Sequence, residues 1–185
     1  MTNSRTLIVN ILGSPGAGKS TLAAYLFSQL KKIGINCELV TEVAKDMTWE
    51  HNKTALNCQP YLFGKQTYRI DRCVGQVDVI ITDSPLILSL LYNKDEAIEP
   101  EFTELVKKKF NSYWNLNILL KRVQPYNPIG RNQTEEEATE IHYQLIDLIL
   151  DTKIPFIIQD GNEAGADKIL EMIVEKVKNE KKSFN

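Results

Sequence analysis

Residues 13–20 read Gly-Ser-Pro-Gly-Ala-Gly-Lys-Ser, and no other stretch of this chain restricts its fold so much. The spacing is G-x-x-x-x-G-K-[ST], a loop that wraps phosphate when it joins a strand to a helix. That context is present. Leu7–Leu12 is a nearly unbroken apolar run, as expected of a strand buried on both faces. From about Lys19 onward, Leu22, Leu26, Leu30 and Ile33 recur at helical spacing, with Gly34 as a stop. Glycine lets the loop backbone turn its N–H groups inward, and the helix N-terminus adds partial positive charge. Gly13, Ser14, Pro15, Gly16, Ala17, Gly18, Lys19, Ser20 and Thr21 are therefore the candidate nucleotide-binding residues. Lys19 is expected to reach the β- and γ-phosphates of ATP, and the Ser20 hydroxyl to hold Mg²⁺.

The rest of the chain alternates strand and helix patterns. Strands are predicted at Cys37–Thr41, Val77–Thr82, Leu116–Leu120 and Ile154–Ile158. Helices are predicted at Gln59–Val74, Leu86–Tyr92, Pro100–Tyr113, Thr134 to about Asp151, and Ala166–Lys178, with 181–185 as a frayed charged tail. Thr134 and Glu137 form a Thr-x-x-Glu capping box. Alternation of this kind predicts an α/β fold with a parallel sheet covered by helices on both faces. With the phosphate loop on its first strand, a three-layer fold with five strands in 2-3-1-4-5 order is expected. With 185 residues, one domain over 1–185 is expected. Its polar segment near 122–134 reads as a mobile lid.

Composition removes several alternatives. The net charge of −2 argues against a dedicated duplex-binding surface. Cys37, Cys58 and Cys73 form no CxxC, and only two His are present, so the cysteines read as small buried hydrophobes and not a metal site. The N-terminal apolar run is too short to span a membrane and lacks a cleavage pattern, which predicts a cytoplasmic protein.

Within the nucleotide-binding class, a GTPase should carry Asn-Lys-x-Asp. Asn93-Lys94-Asp95-Glu96 has Glu in the fourth place and follows no predicted strand. A motor ATPase should have two adjacent acids ending its third strand, where this chain has Asp83 alone. A small-molecule kinase fits better. Asp83 is expected to face the Mg²⁺, although Asp83 or Ser84 ahead of Pro85 is also good helix-capping chemistry. Glu42, at the end of the second strand, is the candidate general base, with Asp46 in reserve. Arg131 in the lid and Arg122 after the fourth strand are candidates to neutralise the transferring phosphate. Gln66, Tyr68 and Arg69, on a helix with Tyr61, Phe63, Lys65 and Arg72, could hold a planar acceptor.

At GSPGAGKS, TEVAKD, FGKQTYRID, ITDSPL and YNPIGR the chain resembles the P-loop kinase superfamily. More closely, it is similar to the AAA_28-type family related to nucleotide kinases and to the ribosylnicotinamide kinase domain of the bacterial NAD-biosynthesis regulator. Similar proteins are common in bacterial viruses. The resemblance, over residues 7 to about 175, implies transfer of the ATP γ-phosphate to a nucleoside- or nucleotide-like acceptor. In deoxynucleoside kinases a carboxylate after the second strand and a base-reading Gln on the next helix would correspond to Glu42 and Gln66. Two other readings stay open. One is a kinase acting on nucleic acid, at a 5′ hydroxyl or a hydroxymethylated base, with Lys107–Lys109 as a local basic patch. The other is a nucleotide-dependent regulatory ATPase switch.

Overall fold

The computed structural model describes residues 5–127 and 134–183. In chain order the elements are β1 (Leu7–Leu12), α1 (Lys19–Lys32), β2 (Cys37–Val40), α2 (Val43–Trp49), α3 (Lys53–Leu56), α4 (Gln59–Asp71) and β3 (Val79–Thr82). They continue with α5 (Leu88–Tyr92), a 3₁₀ turn (Glu96–Ile98), α6 (Glu99–Asn111), β4 (Trp114–Lys121), α7 (Glu135–Thr152), β5 (Ile157–Asp160) and α8 (Glu163–Ser183).

The strands pair in the order β2-β3-β1-β4-β5, every ladder parallel. Parallel strands need crossover helices, and these cover both faces. Side-chain alternation along β1 divides the core between them. Leu7, Val9 and Ile11 pack with Leu22, Leu26 and Leu30 of α1 and with Ile169 and Ile173 of α8. Ile8 and Leu12 face Phe63 and Ile70 of α4, Phe102, Val106 and Phe110 of α6, and Leu145 and Ile149 of α7. A small third cluster joins Val43 and Met47 of α2 to Leu62 of α4.

One polar residue interrupts β1. Asn10, 1% exposed, donates from Nδ2 to Asn115 Oδ1 and Asn117 Oδ1 on β4, both at 2.9 Å. Asn117 then donates to the Pro155 carbonyl at 3.0 Å, ahead of β5. A one-residue slip between strands would strand these amides, so the ladder favours the observed register.

Three sequence expectations are corrected. The fifth strand begins at Ile157, not Ile154, because the Ile154 N–H closes the end of α7 on the Ile149 carbonyl and Pro155 has no N–H to give. The last helix continues to Ser183 where a frayed tail was expected; Lys181 ties it to Asp78 at 2.9 Å. Between Thr41 and Gln59, where no element was foreseen, lie α2 and α3. Among the described residues no helix is long and apolar enough to cross a membrane.

Candidate functional site

Register sets the site. Thr82 of β3 lies opposite both Asn10 of β1 and Val40 of β2. The chain therefore leaves all three strands at one end of the sheet, through Gly13, Glu42 and Asp83. In an open α/β sheet that end is the ligand crevice.

The phosphate loop is built by backbone. Gly16 (φ 87°) and Gly18 (φ 88°) are left-handed, a conformation that disfavours any side chain. Ala17 N–H closes the loop on the Ser14 carbonyl at 3.1 Å. Gly18 caps α1 without a side-chain hydrogen bond, and no acid stands in the first turn. The N-terminus of this 14-residue helix thus keeps its positive end for an anion. Lys19 Nζ donates to the Gly13 and Ser14 carbonyls at 2.8 and 3.2 Å. Pro15 is partly exposed, and Ser20 and Thr21 are exposed on the first turn.

Glu42 is the N-cap residue of α2, yet its side chain makes no capping hydrogen bond. Burial raises the carboxyl above its ordinary pKa; Lys19 pulls it back down and Asp83 pushes it up. Asp83 is also raised, first by burial, against the lowering influence of Lys19, of its own backbone N–H, of Lys45 and of the Glu42 backbone N–H. The structure thus brings Lys19, Glu42 and Asp83 into one electrostatic unit. Asp83 caps no helix, since α5 starts at Leu88 with Ile87 as its N-cap residue. Its Oδ1 is buried without a hydrogen-bond partner among the described residues. A carboxylate oxygen left in that state fits a cation. Mg²⁺ is usually held by one or two protein oxygens with substrate phosphates, and Asp83 with Ser20 meets that description.

Arg122 donates to Glu135 Oε1 at 3.0 Å, and its guanidinium lies 5.4 Å from the centre of the Tyr126 ring. That ring sits over Gly16, where an added Cβ would meet it at 3.1 Å. Arg131 lies outside the described residues, as does 128–133 of the segment read as a lid. On α4 the three acceptor candidates diverge. Tyr68 is 67% exposed, and Arg69 donates to the Thr41 carbonyl at 3.2 Å and pairs with Asp46. Gln66 is 5% exposed and bonded on both sides of Glu42.

Three participants escaped the sequence reading. Burial and then Glu42 raise the pKa of Tyr92 on α5, so its phenol feels the Glu42 charge although the residue as a whole is 40% exposed. Gly161, after β5, abuts the phosphate loop: an added Cβ would stand 2.6 Å from the Ala17 carbonyl oxygen. Lys45 on α2 acts on both site carboxylates. Asp160-Gly161 after a strand was a usable signal for the second; nothing in sequence spacing marks the other two.

The AAA_28 family model, described as an AAA domain, matches residues 8–164. No curated protein sequence matches the chain. Two solved structures of deoxyadenosine kinase from M. mycoides share the fold: one with products dCMP and a flexible dCDP bound, the other with bound dATP. Each superposes with a TM-score of 0.54 at 18% identity. They cover 93% and 92% of this chain and 99% of their own.

Proposed function

The chain belongs to the AAA_28 family of AAA domains, and from that premise we propose that it is an ATP- and Mg²⁺-dependent kinase that phosphorylates a hydroxyl of a nucleoside- or nucleotide-like acceptor. The observation that carries this reading is the uncommitted Glu42 carboxylate, coupled to Lys19 and Asp83 at the mouth of the phosphate loop. A nucleotide switch has no need of a half-buried carboxylate on the acceptor side. A kinase acting on a hydroxyl needs a proton acceptor there. Asp46 is less available to an acceptor, because Arg69 already holds it.

In this reading the loop N–H groups and the α1 N-terminus hold the donor phosphates, and the Lys19 ammonium meets the charge that develops on the γ-phosphate. Glu42 takes the hydroxyl proton as the oxygen attacks phosphorus and ADP leaves. Its raised pKa makes it a stronger base than an exposed carboxylate. Mg²⁺, held by Ser20 and Asp83, would supply neutralisation of phosphate charge. Likeness of fold to deoxyadenosine kinase supports a nucleoside among the acceptors to try first.

The test is transfer from γ-labelled ATP to a panel of nucleosides, nucleotides, nicotinamide riboside and DNA with a free 5′ hydroxyl. Label in a small acceptor is expected, lost in Glu42→Gln. ATP hydrolysis with no labelled acceptor would replace this reading with the switch, and label in DNA alone with the nucleic-acid kinase.

A further inference from the structure

The residues around Glu42 are held from the opposite side by one buried carboxamide. Gln66 Oε1 accepts from the Val43 N–H at 3.0 Å. Its Nε2 donates to the Thr41 carbonyl at 3.3 Å and reaches Thr82 Oγ1 at 3.5 Å. The network fixes the orientation of the amide, since Val43 N–H can only donate and the Thr41 carbonyl can only accept. Gln66 therefore brackets both peptide groups flanking Glu42, as a neighbouring strand would, at the point where β2 has ended and α2 has not begun. Thr82 Oγ1 in turn accepts from Ser84 N–H at 3.1 Å, across the backbone of Asp83.

The other side of the same peptide is also held. The Thr41 carbonyl takes a second hydrogen bond, from Arg69 at 3.2 Å. Val43 N–H is the first of the donors a helix start leaves unpaired, and Gln66 satisfies it. The Glu42 side chain is thereby relieved of capping duty and keeps its carboxylate for the crevice.

We propose that Gln66 is a positioning residue: its carboxamide clamps the Glu42 backbone between α4 and β3 and fixes where the Glu42 carboxylate stands. This rests on Glu42 being the base, and it gives Gln66 a different task from contact with the acceptor. A side chain that is 5% exposed, with both ends of its amide engaged by backbone, has little left to offer a ligand.

Gln66→Met keeps length and apolar bulk but removes the bracket; Gln66→Glu keeps the acceptor oxygen and loses the donor. Both are expected to lower kcat by about 10–100-fold, the cost of a small misplacement of a catalytic group. The loss should be the same for purine and pyrimidine acceptors, with ATP affinity unchanged. Combined with Glu42→Gln, either variant should cost little more, because the group being positioned is gone. A loss confined to acceptor KM and differing between bases would overturn the proposal in favour of acceptor contact, and full additivity with Glu42→Gln would overturn it too. Amide exchange read by NMR separates this from the kinase reading. Val43 N–H should exchange at least tenfold faster in Gln66→Met while the α4 amides stay protected. If the native chain phosphorylates nothing, the kinase reading falls and the exchange alone decides the clamp. Unchanged Val43 protection sinks it.

Discussion

The two ends of the crevice are built by different means. The donor end is one continuous segment, β1, loop and α1, in which backbone conformation does the work: two left-handed glycines, a helix start without a side-chain cap, and a lysine folded back on its own loop. The acceptor end is assembled from α2, α4 and β3, with Gln66 and Arg69 reaching 23–28 residues back to Thr41, Val43 and Asp46. A site made locally tolerates little change in its own residues and leans on the rest only where Gly161 and Tyr126 press against it. A site made by long-range side-chain bonds can be dismantled from a distance.

The largest expected effect falls on the donor end. Lys19→Ala should reduce phosphoryl transfer by at least about 10³-fold, because charge neutralisation is most of what a protein contributes to this reaction. Circular dichroism should be unchanged. Native-level turnover in the variant would dissolve the donor half of the comparison.

Next is Glu42→Gln, expected to lower kcat by about 10²–10⁴-fold with ATP binding intact. A small loss would mean that the acceptor group is a phosphate, already ionised, which needs no base. Asp83→Asn should have a subtler signature. Asn retains shape and hydrogen bonding but weakens a cation site, so the Mg²⁺ concentration for half-maximal rate should rise several-fold or more. An unchanged Mg²⁺ titration would remove the metal role from Asp83 and leave it only an electrostatic neighbour of Lys19 and Glu42.

The same contrast explains what was legible in the sequence. β1 and the start of α1 were read to the residue because their signals are local: an unbroken apolar run, a glycine-spaced loop, a helical stripe. The parallel sheet followed from alternation of elements, and its 2-3-1-4-5 order from the class of chain that the phosphate loop marks. Glu42 and Asp83 could be singled out because strand ends are visible in one dimension. Helix α2 was not visible. It is seven residues long, buries only Val43 and Met47, and rests on Leu62 from another helix, so no periodic stripe announces it. Gln66 stood out as polar on a helix, but whether its amide faces a ligand or the backbone 23 residues earlier depends on packing that no local pattern encodes. The start of β5 was misjudged because Ile154 and Phe156 are apolar for the core, while ladder pairing begins at Ile157.

The smallest effect expected is on stability alone, and it tests whether the acceptor end depends on its clamp or on its turns. Helix α2 ends in a Schellman motif: Asn52 N–H bonds to the Met47 carbonyl at 2.9 Å and His51 N–H to the Thr48 carbonyl at 3.1 Å. The left-handed position, usually glycine, is occupied by His51 at φ 55°. A side chain there costs about 1–2 kcal/mol. His51→Gly removes that cost but gives the unfolded chain more freedom, worth about 0.5–1 kcal/mol. The net gain should be about 0.5–1 kcal/mol, a rise of roughly 1–4 °C in the unfolding midpoint. Because Gln66 and Arg69 grip residues 41–46 and not the turn at 51, kcat and acceptor KM should not move. A stabilised variant with native kinetics would sharpen the comparison, leaving the clamp as what orders the acceptor end. If kcat fell as stability rose, strain in the turn would be helping to aim Glu42, and the acceptor end would depend on local backbone as the donor end does.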